Sequence, residues 1–181
     1  MVYVLIAVVV IVVVYALVVY NGLVKLGTMV DEAFSTMDVY LKKRWDLVPS
    51  LVEAVKGYAK HEKNTLEEVE ELRNRAYGKM SDNEKIETNE ELSQRVVRVM
   101  ALAENYPKLM ASENFQKLSE QLVQVEDEIA NARKYYNAVV KKYNNKIKVF
   151  PNSIFARIYG AEPKRMFEID EKERENVKVE V

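Results

Sequence analysis

The chain begins with MVYVLIAVVVIVVVYALVVY, residues 1–20, a run in which no side chain is charged. The first charged side chain after this run is that of Lys25. Twenty helical residues at about 1.5 Å each span about 30 Å, the thickness of the hydrocarbon core of a bilayer. The run therefore predicts a transmembrane helix. Its expected membrane-spanning side chains include Val2, Leu5, Val9, Val13, Leu17 and Tyr20.

A cleaved signal peptide is the alternative interpretation of this run. Signal peptides carry a basic segment before a shorter apolar stretch, followed by a cleavage site of the small-x-small type. Here no Lys or Arg precedes the run, and it ends in Val18-Val19-Tyr20-Asn21. A membrane anchor over residues 1–24 is therefore the favoured prediction.

The basic residues near the predicted anchor all follow it in the sequence. Lys25 comes first, and Lys42, Lys43 and Arg44 come next. Basic segments of membrane proteins stay on the cytoplasmic side of the bilayer. The sequence therefore predicts a single-pass protein of the cell membrane whose C-terminal part is cytoplasmic.

Apolar residues recur at helical spacing through the next fifty residues. They form two stripes, namely Leu26, Val30, Ala33, Met37 and Leu41, and then Leu51, Val55, Tyr58, Leu66, Val69 and Leu72. Pro49 separates the stripes, and a proline disfavours helical geometry at the residue before it. We expect a kink or tight turn at residues 45–49, with one continuous kinked helix as the alternative. Beyond the proline we expect the helix to run uninterrupted through residues 61–64.

The second half of the chain predicts two more helices. Residues 78–83 have the composition of a turn, and Thr88-Asn-Glu-Glu91 has the capping-box pattern of a helix start. The third stripe is Leu92, Val96, Val99, Ala103 and Tyr106, and the fourth is Phe115, Leu118, Leu122, Val125, Ile129, Ala132, Tyr136, Val139, Tyr143 and Phe150. The seven-residue repeat of the last stripe is typical of a helical bundle or coiled coil.

Four amphipathic helices bury their stripes against one another. The predicted fold is therefore all-α, with an N-terminal transmembrane helix followed by an up-down-up-down four-helix bundle of long antiparallel helices. We place the anchor at residues 1–24, the bundle at 25–150, a short amphipathic segment at 151–168 and a charged mobile tail at 169–181.

Composition and motifs argue against several classes of function. The 27 basic and 28 acidic residues give a formal net charge of -1, which disfavours nucleic-acid binding. The chain has no cysteine, and it lacks the zinc-protease, phosphate-loop, serine-hydrolase and dinucleotide motifs. The sequence predicts no catalytic residue, no metal site and no cofactor, and hence a protein that is not an enzyme.

Two asparagines recur one heptad apart beside the last stripe, in Tyr136-Asn137 and Tyr143-Asn144. Buried amides commonly fix the register of packed helices. We expect Asn137 and Asn144 to do so, or to pair with polar residues of the first helix. Those candidates are Asp38, Arg44 and Asp46. A polar groove for a partner protein is the alternative interpretation.

The segment after the last helix combines basic and apolar residues. Between residues 141 and 165 there are seven basic side chains and one acidic side chain, Glu162. Pro151 and Gly160 are suitable residues to start and end a short helix. Such a helix is typical of an anionic membrane surface, and a cap on the open end of the bundle is the alternative. The candidate membrane-surface residues are Lys146, Lys148, Phe150, Phe155, Arg157, Tyr159, Lys164 and Arg165.

Several blocks of the sequence resemble the LemA family. They are Val30-Asp-Glu-Ala-Phe-Ser, Arg44-Trp-Asp-Leu-Val-Pro, Val55-Lys-Gly-Tyr-Ala-Lys-His-Glu62, Ala103-Glu-Asn-Tyr-Pro, Arg133-x-Tyr-Tyr-Asn137, Phe150-Pro151 and Phe167-Glu168. The resemblance extends from about residue 20 to residue 168. It implies a bacterial-type, membrane-anchored helical bundle with no established enzymatic activity.

Two functions of different classes agree with this interpretation. In the first, the protein is a scaffold that presents its helical bundle to other membrane or envelope proteins. In the second, it organises the membrane by self-assembly and by binding anionic lipid. The expected partners are membrane lipid, other membrane proteins and, in the second case, further copies of the chain.

Overall fold

The computed structural model describes residues 1–59 and 62–167. Within these ranges the chain is helical and has no strand. The helices are α1 (Val2–Lys56), α2 (Lys63–Arg73), α3 (Asp82–Ala103), α4 (Pro107–Met110), α5 (Glu113–Lys148) and α6 (Asn152–Ile158), and a 3-10 turn covers Tyr77–Lys79. The predicted all-α class is confirmed, whereas the up-down-up-down arrangement stays a prediction. The predicted tail at 169–181 lies outside the described residues.

Helix α1 continues through Pro49, so the tight turn predicted at residues 45–49 is wrong and the alternative of one continuous helix is found. A proline inside a helix removes one backbone hydrogen bond and costs about 3 kcal/mol. Trp45 and Val48 are buried before the proline, and Leu51 and Val55 are buried after it. Burial of an apolar side chain contributes about 1.5–3 kcal/mol. The tertiary contacts on both sides of Pro49 therefore outweigh the local preference against a helix.

The break in the helix comes later, so the helix predicted to run uninterrupted through residues 61–64 is also wrong. Helix α1 ends at Lys56, and α2 begins at Lys63. At the end of α1, the N–H groups of Tyr58 and Ala59 donate to the Val55 carbonyl oxygen at 3.0 and 2.8 Å. Gly57 immediately follows the last helical residue, a position where glycine commonly ends helices. Tyr58, predicted to be in the core, is exposed.

Helix α3 starts earlier than the sequence pattern predicts. Ser81 is its N-cap and forms a capping box with Glu84. The Ser81 N–H donates to Glu84 Oε2 at 2.7 Å, and the Glu84 N–H donates to Ser81 Oγ at 3.4 Å. The capping box predicted at Thr88 is wrong, because Thr88 is buried in the middle of α3. The start is set by Ser81, which lies within the turn predicted at residues 78–83.

Replacing Ser81 with alanine should lower the free energy of unfolding by about 1 kcal/mol, since the N-cap hydroxyl would be lost. Unfolding is measured on the full chain in detergent micelles by the fluorescence of Trp45, the only tryptophan. Ser50→Ala, at an exposed position of α1, is the control and should change stability by less than about 0.5 kcal/mol. Equal midpoints for both variants would contradict the role of the cap.

The capping box also predicts a pH dependence. Hydrogen bonds from the Ser81 backbone N–H and hydroxyl hold the pKa of Glu84 below its usual value. The stabilising contribution of its carboxylate is therefore present above the ordinary pKa and disappears as the pH falls through the lowered one. The stability difference between the native chain and Glu84→Gln should shrink over that interval. A difference that stayed constant down to the acid limit would argue against this interpretation.

The chain forms two compact units. The central unit is Glu32–Lys134, and the terminal unit combines Met1–Asp31 with the chain from Tyr135 onward. The core of the central unit follows the predicted stripes and includes Met37, Leu41, Leu51, Val69, Leu92, Val99, Phe115 and Val125. These buried side chains come from α1, α2, α3 and α5, so all four longer helices contribute to this core.

The core of the terminal unit includes Val19, Leu23, Val30, Tyr136, Val139, Val140, Tyr143, Ile147 and Ala156. Phe150, predicted as the last residue of the heptad stripe, is 76% exposed, so that prediction is wrong. Helix α5 ends at Lys148, and the heptad geometry therefore no longer applies two residues later. Val140 and Ile147 occupy the buried positions instead.

The N-terminal part of α1 is long and apolar enough to cross a membrane. Only 6% of the most apolar 18-residue stretch of this helix is buried, whereas the core helix of a water-soluble protein would be mostly buried. The predicted spanning residues Val2, Leu5, Val9, Val13, Leu17 and Tyr20 are all exposed. An exposed apolar stretch of this length near the N-terminus is typical of a membrane anchor or a signal sequence.

Candidate functional site

Arg44 lies in the interior of the central unit and is 2% exposed. Its Nη1 donates to both carboxylate oxygens of Glu126, at 2.8 and 3.0 Å, and to the hydroxyl of Ser93. Its Nη2 donates to the backbone carbonyl and the side-chain oxygen of Asn89, at 2.8 and 3.0 Å. One guanidinium group therefore joins α1 to α3 and α5.

These partners differ from the ones that we expected for Arg44. A pairing with Asn137 or Asn144 was one of the two structural roles expected from the sequence, whereas the structure pairs Arg44 with Asn89, Ser93 and Glu126. Asn89 could have been found from the pattern, because it lies three residues after Ile86 and three before Leu92, on the buried stripe of α3. A polar residue on an apolar stripe indicates a buried hydrogen-bonding partner.

A second polar group in the central unit surrounds Asp38. The Tyr77 hydroxyl donates to Asp38 Oδ1 at 2.6 Å, and the Lys85 ammonium lies 2.6 Å from Asp38 Oδ2. The same ammonium is 5.2 Å from the centroid of the Tyr77 ring. Burial, reinforced by the bond to Asp38, raises the pKa of Tyr77, which therefore stays a neutral hydrogen-bond donor. Asp46 lies apart from this group, exposed and paired with Lys42 on the same helix.

Both groups use their polar atoms to connect helices. Asn89 is fixed further by a bond from its Nδ2 to the Lys85 carbonyl oxygen at 3.0 Å. Charge pairs that are buried or half-buried and joined across helices favour one particular packing of those helices. Across residues 1–59 and 62–167, no group of three or more His, Cys, Asp or Glu side chains is arranged to hold a metal ion. The geometry of the two groups is that of a structural network.

In the terminal unit, α6 packs against the last part of the apolar run of α1. The Tyr15 hydroxyl donates to Asn152 Oδ1 at 2.8 Å, and the Tyr159 hydroxyl donates to the Ala16 carbonyl oxygen at 3.0 Å. The rings of Tyr15 and Phe155 are 5.7 Å apart, and those of Tyr20 and Tyr159 are 5.1 Å apart. Helix α6 therefore lies beside residues 15–20.

The structure divides the candidate membrane-surface residues into two sets. Phe155 and Tyr159 contact α1, and the side chain of Lys146 passes over Gly22. Phe150, Lys148, Arg157, Lys164 and Arg165 are exposed. Three further apolar residues of this segment are exposed, namely Val149, Ile154 and Ile158. The spacing of Phe150, Ile154 and Ile158, four residues apart, was the signal for this second apolar face.

The segment 161–167 runs back along α5 and is held by the two asparagines. Asn144 donates to the Lys164 carbonyl oxygen and accepts from the Lys164 N–H, both at 2.8 Å. Asn137 makes the same pair of bonds with Phe167, both at 2.9 Å. The Tyr136 hydroxyl donates to the Arg165 carbonyl oxygen at 2.9 Å. We call this arrangement the asparagine clamp. It replaces the expected pairing of these asparagines with Asp38, Arg44 or Asp46.

Residues 33–181 match the family model of the LemA family. A stretch of 63 residues is 36% identical to Magnetosome protein MamQ 2 of Paramagnetospirillum magneticum and covers 35% of this chain and 23% of that protein. Magnetosome protein MamQ of Magnetospirillum gryphiswaldense is 35% identical over 63 residues, with the same coverage. The chain thus spans about a quarter of the length of these relatives. Because the family model covers most of the sequence, the chain belongs to the LemA family.

Proposed function

We propose that the protein is a non-enzymatic, membrane-anchored scaffold. Residues 1–24 cross the bilayer, and the rest of the chain presents helical surfaces to other membrane or envelope proteins. The observation that carries this proposal is α1 itself, a single helix whose first part has an exposed apolar surface and whose second part contributes to a buried core. The relatives that match are named as magnetosome proteins and not as enzymes, which supports a non-catalytic role.

The basic residues after the anchor support a cytoplasmic position for the C-terminal part. The chain has no cysteine, so one introduced thiol reports its side of the membrane. Val123→Cys, at an exposed position of α5, should react with a membrane-impermeant thiol reagent only after the cells are permeabilised. Reaction in intact cells would overturn the orientation.

A groove of about 410 Å³ in the central unit is the proposed contact surface for a partner. Glu84, Glu87 and Glu91 line one side of it from α3, and Arg75 and Lys79 line it from the preceding turn region. Two opposite charges that line it, Arg75 Nη1 and Glu91 Oε2, are 3.7 Å apart. A groove with charges of both signs suits a charged segment of a partner protein more than an apolar one.

The experiment is site-specific photocrosslinking in intact membranes, with the crosslinking residue in place of Lys79 in the groove. Lys134, exposed on α5 and outside the groove, is the matched control position. We expect one protein to be crosslinked from position 79 and not from position 134. The same product should form after residues 1–24 are replaced by an unrelated transmembrane segment. Crosslinks to other copies of this chain alone would favour self-assembly and contradict the scaffold.

A further inference from the structure

We propose that α6, together with Val149 and Phe150, is an interfacial element that binds the surface of an anionic phospholipid bilayer. The proposal rests on the proposed function, because the depth of α6 follows from the membrane anchor. Three observations carry it, which are the position of α6 along α1, its exposed apolar side chains, and the basic residues around it.

The position of α6 corresponds to the boundary between headgroups and acyl chains. Its contacts on α1 are Tyr15, Ala16 and Tyr20. Tyr15 precedes Tyr20, the end of the apolar run, by about 7 Å along the helix axis. Amphipathic helices that lie in the membrane plane are buried about 5–10 Å into this boundary. With residues 1–20 in the bilayer, α6 is at the depth where such helices bind.

The contacts with α1 orient α6 and leave a second apolar face open. Phe155 and Tyr159 cover one side of the helix against the rings of Tyr15 and Tyr20. Ile154 and Ile158, four residues apart, are 51% and 70% exposed. Phe150 is 76% exposed just before the helix. Apolar side chains of this size are stabilised by leaving water, and the acyl chains beside the anchor provide the apolar phase.

The charges around α6 select anionic lipid. Residues 141–165 carry seven basic side chains against the single carboxylate of Glu162. Lys148 and Arg157 are exposed near the apolar face, and Lys164 lies 3.8 Å from Asp31, a weak and solvent-exposed pair. Basic side chains near an anionic membrane surface are attracted to lipid phosphates. Neither a neutral bilayer nor an apolar protein surface would use this excess of positive charge.

The first measurement is the depth of α6 in the full chain, reconstituted in nanodiscs of phosphatidylcholine mixed with phosphatidylglycerol. The absence of cysteine allows single spin labels at Ile154→Cys and Ile158→Cys, with Val123→Cys on α5 as the control. We expect labels at 154 and 158 to be accessible to dissolved oxygen and protected from a water-soluble nickel chelate. The label at 123 should show the opposite pattern. Access of the chelate to 154 and 158 would overturn the proposal. Protection from both reagents would do so as well, because it would mean that a protein surface or a second copy covers the face.

The second measurement is the phosphatidylglycerol that remains bound to the full chain after extraction of the same mixed membranes in mild detergent. Lys148→Glu with Arg157→Glu should reduce its enrichment over phosphatidylcholine at least about tenfold. Lys108→Glu with Lys134→Glu makes the same change in net charge at exposed positions of the central unit, and it should leave the enrichment unchanged. Equal losses in both variants would contradict specific binding at α6.

A third measurement, extraction of the membranes with alkaline carbonate, distinguishes failure of this proposal from failure of the proposed function. If residues 1–24 are not an anchor, alkaline carbonate will release the protein from membranes, and both proposals fail. If the protein resists carbonate while labels at 154 and 158 face water, the anchor stands and only the interfacial role of α6 is refuted.

Discussion

Replacing Arg44 with alanine should lower the free energy of unfolding by about 3 kcal/mol, because the change removes the donor group of five hydrogen bonds in the interior of the central unit. The guanidinium donates five hydrogen bonds, and their acceptors belong to Ser93, Asn89 and Glu126. Glu126 is partly exposed and remains hydrated after the change. The oxygens of Asn89 are buried and cannot be hydrated after the change. Most of the loss in stability therefore arises at Asn89 on α3.

The measurement is denaturant unfolding of the full chain in micelles, followed by the fluorescence of Trp45. This tryptophan adjoins Arg44 in sequence, and its ring centroid is 5.1 Å from that of Tyr77, so it reports on the central unit. Arg44→Lys keeps the charge but loses the forked geometry, and it should recover only part of the stability. Arg98→Ala, at an exposed residue 3.9 Å from Glu68, is the matched control and should cost less than about 1 kcal/mol. A loss at Arg44 no larger than that at Arg98 would mean that the network contributes little.

Replacing Asn137 and Asn144 with alanine should release the segment 161–167 from α5. Each asparagine makes two hydrogen bonds to the backbone, and each bond contributes about 1 kcal/mol. One substitution should therefore raise the opening equilibrium about thirtyfold, and both together about a thousandfold. Amide hydrogen exchange at Lys164 and Phe167 measures this directly, since these two N–H groups donate to the clamp.

Asn145→Ala is the matched control for the clamp, because Asn145 is exposed and adjoins Asn144. It should leave exchange at Lys164 unchanged. Asn137→Asp keeps the acceptor for the Phe167 N–H but loses the donor to its carbonyl oxygen, and it should give an intermediate rate. Exchange in the double alanine variant as slow as in the native chain would refute the clamp as the device that holds this segment.

Features decided by local sequence were predictable. The apolar run of residues 1–20, the turn after residue 77 and the short helix between Pro151 and Gly160 each depend on residues close together in the chain. Gly160 has a φ of 67°, the left-handed conformation that favours glycine at the end of a helix. Most of the core residues of α3 and α5 were also predictable, because apolar residues that recur at helical spacing can be recognised without knowledge of the tertiary structure.

Features decided by distant contacts were not predictable in this way. The local signal at Pro49 favours a break, and the buried residues on both sides reverse it. To predict the partner of Arg44 on α3, one must know which residue of that helix faces it. The role of Asn137 and Asn144 depends on the path of a segment twenty to thirty residues further along the chain. In each case the sequence identified the polar or unusual residue, and contacts distant in the chain decided what that residue does.

The asparagine clamp has a consequence for the variation that the protein tolerates. Its bonds involve only main-chain atoms of Lys164 and Phe167, so the side chain at position 164 can change without loss of a bond. Proline is the exception, since it lacks the N–H that each asparagine accepts. Pro163 already sits directly before one of these two positions, where no N–H is required by the clamp. Homologous chains should therefore vary in side-chain identity at position 164, keep an apolar residue at the buried position 167, and exclude proline at both positions.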